Sequence, residues 1–108
     1  MALNRIELLT LLAIVRLGEK AYGVTIYDEI QRVAGSDVSM AGGYSAIDRL
    51  ERRGLVRAWR SEPRPERGGR ARRHYALTAS GRDLLRHERE LTARIWRGLV
   101  LDPTGRRR

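Results

Sequence analysis

The chain has 108 residues, a net charge of +9 at pH 7 and no cysteine. This length predicts a single domain with one modest core, and the lack of cysteine excludes a disulfide scaffold and a cysteine-based zinc site. Apolar residues make up 42% of the sequence and charged residues 32%, a balance that argues against wholesale disorder. We therefore expect a small core under a highly charged surface, with no metal site and no cofactor.

The positive charge is concentrated in one part of the sequence. Residues 49–75 contain ten arginines and three glutamates, and residues 106–108 are three further arginines. Such a concentration attracts polyanions, of which nucleic acid is the commonest. Lys20 is the only lysine; the preference for arginine suits phosphate and guanine binding and equally fits a GC-rich genome.

Residues 6–17 predict the first helix. Their apolar side chains cover nearly the whole circumference of a helix, which predicts burial on more than one side, with a partner chain able to cover the second. Gly18 is the predicted stop. Because Glu7 and Thr10 interrupt this apolar run, and because it is too short to cross a bilayer, we expect a core helix in a cytoplasmic protein without membrane contact.

Two more helices are predicted before residue 54. Residues 23–34 form the second, and the face predicted for its core side is Val24, Tyr27, Ile30 and Val33 or Ala34. Residues 40–53 form the third, with Ser39 as its N-cap and Tyr44, Ile47 and Leu50 on one face. Two glycines, Gly42 and Gly43, weaken its first turn by about 1 kcal/mol each, so either a neighbour approaches closely there or the turn frays.

Residues 55–61 and 72–78 alternate in the manner of two strands. Between them, residues 62–73 contain two prolines, two glycines and five arginines and cannot contribute to a core. The pattern predicts a β-hairpin with its turn at Gly68-Gly69 and a positively charged tip. Trp59 is expected to pack over the third helix.

Thr78 is the predicted N-cap of an amphipathic helix of about five turns. This helix is predicted over residues 79–101 and is longer than so small a domain needs. Its apolar stripe consists of Leu84, Leu91, Ile95 and Leu99, with Leu85 and Trp96 at one edge.

Three helices followed by a two-stranded hairpin are the order of a winged helix-turn-helix domain, in which the hairpin is the wing. We therefore predict a mainly α fold with a small β-hairpin (α+β) and a long C-terminal dimerisation helix. The predicted organisation is a winged-helix DNA-binding domain over residues 1–78, the dimerisation helix over residues 79–101 and a flexible basic tail over residues 102–108.

Three segments, AYGVTIYDEI, VSMAGGYSAIDRLERRGLV and EPRPERGGRARRHYALTASGRDLL, resemble the PadR family of bacterial transcriptional regulators. The combination of YxxIxRLE, GLV, PERGG and YxLTxxG at these separations is specific. The sequence departs from the family at Ala41-Gly42-Gly43, where PadR-like chains place a glycine, a small residue and a bulky apolar residue before the tyrosine. We expect this departure to loosen the start of the recognition helix.

The resemblance and the basic region imply a sequence-specific transcriptional regulator that is not an enzyme. It is expected to be a repressor that binds double-stranded DNA at an inverted repeat as a homodimer. The residues expected to contact DNA are Ser39, Tyr44, Ser45, Arg49, Arg52 and Arg53 at the third helix and Arg64, Arg67, Arg70 and Arg72 in the wing. For Tyr44 the alternative is a core position, and for Arg49 an ion pair within its own helix.

PadR proteins dimerise largely through their first and last helices, and some bind flat aromatic or phenolic effectors. The resemblance therefore implies a small aromatic effector at Trp96 and Leu12, and a dimer interface of Leu8, Leu12, Val15, Leu84, Leu91, Ile95, Trp96 and Leu99. Two other functions stay open at this point. One is a non-specific basic nucleic-acid-binding protein, and the other is a winged-helix module whose partner is another protein.

Overall fold

The structure is a computed structural model that describes residues 2–35, 38–60 and 72–102. Its elements are, in chain order, α1 (Arg5–Leu17), a 3₁₀ turn (Gly18–Lys20), α2 (Gly23–Ala34), α3 (Met40–Arg52), β1 (Val56–Arg60), β2 (Arg73–Leu77) and α4 (Ala79–Trp96). The strands pair antiparallel, from Val56 opposite Leu77 to Arg60 opposite Arg73. The predicted fold class and order of elements are confirmed; the predicted turn at Gly68-Gly69 lies outside the described residues.

The central element is α1, which packs against α2, α3, β2 and the start of α4. Its first turn is fixed by a capping box, in which Asn4 Oδ1 accepts from the Glu7 amide at 2.8 Å and Glu7 Oε1 accepts from the Asn4 amide at 2.9 Å. Leu11 and Ile14 are buried in the core. Within the part of the chain that the structure describes, the other side of this helix is only partly covered, because Leu12 and Val15 remain 42% and 57% exposed.

The core face of α2 matches the predicted one in part. Ile30 is buried and Ala34 packs partly buried against the core, as predicted, but Ile26 is buried as well, and Val24 and Val33 are more than half exposed. The segment before the helix is fixed to the hairpin, because the Tyr75 amide of β2 donates to the buried Ala21 carbonyl at 2.9 Å. A contact between residues so distant in sequence cannot be derived from the spacing of apolar residues within α2.

The third helix begins where it was predicted. Ser39 Oγ accepts from the Gly42 amide at 3.0 Å, which confirms Ser39 as the N-cap. A Cβ at Gly43 would lie in ordinary contact with the Tyr27 ring, at 3.6 Å. The glycine is therefore packed within the fold, and the first turn is closed by its cap. Tyr44, predicted on the same face as Ile47 and Leu50, is 38% exposed.

The hairpin has one face in the core and a second face that carries an aromatic stack. Tyr75 and Leu77 are buried on the first. On the second, Trp59 stacks on its cross-strand partner His74 with ring centroids 4.3 Å apart, and Tyr22 meets His74 edge-on at 5.5 Å. The expectation that Trp59 packs over α3 was therefore wrong, because the strand alternation turns its ring to the other side of the sheet.

The last helix begins at the predicted cap and ends five residues before its predicted end at residue 101. Thr78 Oγ1 accepts from the Gly81 amide at 3.1 Å and donates to the Gly54 carbonyl at 2.6 Å, which confirms the cap. Gly81 lies so close to the Leu55 carbonyl oxygen that a Cβ would overlap it. Beyond Trp96 the chain leaves the helix through Gly98, whose φ of +78° favours glycine. The shorter end leaves Leu99 outside α4.

Among the helices within the described ranges, none combines the length and the hydrophobicity that a membrane crossing requires.

Candidate nucleic-acid interface

The exposed side of α3 lies opposite its buried side. Ala46, Ile47 and Leu50 face the core. The residues that recur at one-turn spacing on the opposite side are all exposed, and we call them the outer face: Ala41, Ser45, Asp48 and Arg52. A helix with such an exposed face, which begins at a serine cap, has the dimensions and the polarity to enter the major groove of DNA.

Tyr44 flanks the outer face and rests on the start of α2. A Cβ at Gly23 would lie 2.5 Å from a ring carbon of Tyr44 and 3.0 Å from its hydroxyl oxygen. Gly23 therefore leaves the space that the ring occupies between the two helices of the helix-turn-helix. One side of the ring packs on Gly23, while 38% of the residue stays exposed. The DNA contact expected of Tyr44 stays a prediction.

A buried carboxylate binds two of the arginines that were predicted to contact DNA. Glu7 of α1 is 4% exposed; its Oε2 lies 3.2 Å from Arg49 Nε and its Oε1 lies 3.2 Å from Arg53 Nη1. Arg53 Nη2 also donates to the Ala2 carbonyl at 3.1 Å. These guanidinium groups hold α3 on α1. The alternative interpretation, an ion pair within α3, is replaced by one between helices.

The ionisation of Glu7 follows from its partners. Burial by itself raises the pKa of this carboxyl, but the hydrogen bond from the Asn4 amide and the bonds and charges of Arg49 and Arg53 outweigh burial, so that the pKa lies below its ordinary value of 4.5. From the sequence alone, Glu7 is only an interruption of an apolar run. A carboxylate on the core side of a helix is itself a signal of a buried ion pair.

The other predicted DNA contacts are spread over α3 and the wing. Ser45 and Arg52 lie on the outer face, and Arg52 Nε donates to the Asp48 backbone carbonyl at 3.4 Å. Arg72 lies at the base of the wing with its guanidinium carbon 4.4 Å from the centre of the Tyr22 ring. Three predicted contacts, Arg64, Arg67 and Arg70, lie outside the described residues.

A groove of about 600 Å³ separates α1 from α4. It is lined by Leu8 and Leu12 of α1 and by Leu85, Arg86, Glu88, Arg89, Thr92, Ala93 and Trp96 of α4. The structure thus brings together Leu12 and Trp96, the two residues predicted to bind an effector.

The residues predicted for the dimer interface fall into separate places. Leu8, Leu12 and Trp96 line the groove. Leu91, Ile95 and Leu99 are exposed, Leu84 packs partly buried against the core, and Val15 borders a second cleft next to the wing.

Helix, recognition helix and wing in this arrangement define a winged helix-turn-helix DNA-binding module. The chain matches the model of the transcriptional regulator PadR-like family over residues 11–87, and it belongs to that family. Its members are DNA-binding transcriptional regulators and not enzymes, which agrees with the prediction of a non-enzymatic DNA-binding protein. Comparison with curated protein sequences found no match.

Solved structures of similar fold include a PadR family transcription regulator from Clostridium difficile R20291, with 25% identity, a TM-score of 0.62, and coverage of 87% of this chain and 88% of that one. A transcriptional regulator from Clostridium thermocellum has 23% identity, a TM-score of 0.64, and coverage of 89% and 90%. Bordetella bronchiseptica BpsR, whose DNA binding is regulated by 6-hydroxynicotinic acid, has 21% identity, a TM-score of 0.63, and coverage of 95% of this chain and 66% of that one.

Replacing Glu7 by glutamine removes the charge that Arg49 and Arg53 bind. Breaking a buried pair in this way is expected to lower the free energy of unfolding by about 3 kcal/mol at neutral pH. Since the folded pKa lies below 4.5, the ionised carboxylate stabilises the fold above that pH, and the contribution is lost as the pH falls through the folded pKa. Denaturant unfolding of the wild type and Glu7→Gln, measured from neutral to acid pH, should therefore show a difference in the free energy of unfolding that shrinks below about pH 4.5.

The matched control is Glu90→Gln, which alters an exposed carboxylate of α4 and should change stability by less than about 0.5 kcal/mol. A gap between wild type and Glu7→Gln that stays constant down to acid pH would contradict this assignment.

Proposed function

We propose that the chain is a sequence-specific transcriptional repressor that binds an inverted-repeat operator as a homodimer. The observation that carries this proposal is the free outer face of α3 beside its serine cap. In a symmetric dimer the two outer faces would enter successive major grooves about 34 Å apart. Membership of the PadR-like family and the net charge of +9 support the same conclusion.

Within this proposal the predicted DNA contacts take two roles. Ser39, Tyr44, Ser45 and Arg52 contact phosphates or base edges, while Arg49 and Arg53 act through Glu7 by holding α3 at its angle to α1. The basic wing, with Arg64, Arg67, Arg70 and Arg72 as its candidate contacts, binds flanking phosphates.

Exposed apolar side chains support the homodimer. In the isolated chain Leu12, Ile95 and Trp96 are 42%, 64% and 51% exposed, and Leu12 and Trp96 border the same groove. Contiguous apolar surface of this kind usually marks an interaction site. A second copy that packs α1 and α4 against their counterparts would remove it from water, and the symmetry of a dimer matches that of an inverted repeat.

The groove between α1 and α4 also suits a small aromatic effector. Trp96 offers a flat ring on which a planar molecule can stack, and Arg89, which lines the groove beside Glu88, can bind an anionic group. The regulation of BpsR by 6-hydroxynicotinic acid, an aromatic carboxylic acid, supports this class of ligand. Such an effector would regulate DNA binding if its affinity differs between two arrangements of the dimer.

A competition assay tests sequence-specific repression. At about 150 mM salt the protein should prefer DNA from upstream of its own gene over random duplex by about a thousandfold. The logarithm of affinity should fall with the logarithm of salt concentration with a slope of about −5, if five or six phosphates are neutralised. Arg52→Ala should weaken operator binding by about tenfold or more, whereas Arg94→Ala, on the far part of α4, should leave it nearly unchanged.

The two other candidate functions give different results in the same assay. Equal affinity for operator and random duplex indicates a non-specific nucleic-acid-binding protein. If the protein keeps its regulatory activity after Arg67, Arg70 and Arg72 are replaced by glutamate, its main partner is another protein rather than DNA. Either result would overturn the proposal.

Sedimentation at micromolar concentration tests the homodimer. The wild type should show twice the 12.3 kDa mass of the chain. Leu12→Glu should weaken association by about a hundredfold, because a carboxylate would be buried in the seam without a partner. Val33→Glu adds the same charge at an exposed position of α2 and should leave the dimer intact. A wild type that sediments as a single chain would refute the dimer.

A further inference from the structure

Asp48 is the one acidic residue on the outer face of α3. Its side chain is exposed, and within the described ranges no donor binds its carboxylate. The neighbouring arginines are directed elsewhere: Arg49 Nε binds Glu7 Oε2 at 3.2 Å, and Arg52 Nε binds the backbone carbonyl of Asp48, 3.4 Å away. The outer face therefore presents an unneutralised negative charge in the middle of the surface that would meet DNA.

A carboxylate in the major groove distinguishes strongly among base edges. It accepts hydrogen bonds and donates none, so only the amino groups of cytosine N4 and adenine N6 can satisfy it. In an A·T pair the adenine amino group lies between two acceptors, N7 of adenine and O4 of thymine, and both repel the carboxylate. The cytosine amino group has an acceptor on one side only, so cytosine is the base that an aspartate reads best.

The shape of the outer face allows a short side chain to reach a base. Ala41 and Ser45, which precede Asp48 on this face, are small, so the first turns of α3 can lie close to the floor of the groove. Aspartate has one methylene group between its backbone and its carboxylate, and it contacts a base edge only when the helix backbone comes that near.

We propose that Asp48 determines part of the operator sequence by accepting a hydrogen bond from the N4 amino group of one cytosine in each half-site. This inference rests on the proposed function, since it requires that α3 binds in the major groove. Asp48 differs from the DNA contacts proposed above, because phosphates repel its carboxylate. Its contribution is therefore to the choice of base sequence rather than to the overall affinity for DNA.

Selection of binding sites from a random duplex pool tests the proposal, with wild type, Asp48→Ala and Asp48→Asn compared side by side. The wild type should select cytosine at one position of each half-site, and replacing that cytosine should weaken binding by about tenfold. Asp48→Ala should lose the preference at that position and keep the others. Asp48→Asn should change the preference to adenine, because an amide accepts from N6 and donates to N7.

The matched control is Asp83→Ala, which removes the same charge from an exposed position on α4 and should select the wild-type sequence. Asp48→Ala should also keep the wild-type preference at the other positions of the site, a result that a misfolded protein cannot give. Selection of the unchanged wild-type sequence by both Asp48 variants would overturn the inference while leaving the proposed function in place. A wild type that selects no sequence would overturn both.

Discussion

A carboxylate that is almost completely removed from water joins the recognition helix to the first helix of this domain. The Glu7 side chain is 6% exposed, and burying a charge costs several kcal/mol unless hydrogen bonds and opposite charge compensate for it. Three donors do so here: the Asn4 amide, Arg49 and Arg53. Because the Asn4 amide lies at the start of α1 while Arg49 and Arg53 lie at the end of α3, the carboxylate joins the end of α3 to the start of α1.

This constraint connects the surface proposed for DNA binding to the surface proposed for dimerisation. Both Glu7 and Leu12 belong to α1, about 8 Å apart along its axis. The first contacts the recognition helix and the second lines the groove toward α4. In the proposed dimer, a molecule bound in that groove would act on α1 directly, and the ion pairs would carry a change in its position to α3. A rigid helix that serves two surfaces is a physical basis for regulation.

Local patterns in the sequence were sufficient to predict the secondary structure and the fold. Ser39 and Thr78 were recognised as caps because a side-chain oxygen before an apolar run satisfies amides within the same turn. Features set by distant residues were missed. The segment before α2 is bonded to β2, 54 residues further on, through Ala21 and Tyr75, and the spacing of apolar residues within α2 carries no trace of that contact. The end of α4 was predicted at residue 101 rather than at Trp96 because the apolar pattern continues past Gly98.

The same distinction applies to the candidate site. The outer face of α3 follows from helical periodicity, so Ser45 and Arg52 could be proposed from the sequence. The partners of Arg49 and Arg53 lie 42 and 46 residues away, and no spacing rule connects them. Asp48 was not proposed as a DNA contact for a different reason. Candidate contacts were chosen for positive charge or a hydroxyl group, and only the structure shows that the Asp48 carboxylate is exposed and unpaired within the described residues.

A double-mutant cycle between Glu7 and Arg53 tests the central claim most directly. Equilibrium unfolding of the wild type, Glu7→Gln, Arg53→Met and the double variant gives the coupling free energy between the two side chains. The claim that this buried pair joins α3 to α1 predicts a coupling of about 2 kcal/mol, in the favourable direction. Additive effects of the two substitutions, within about 0.5 kcal/mol, would contradict it.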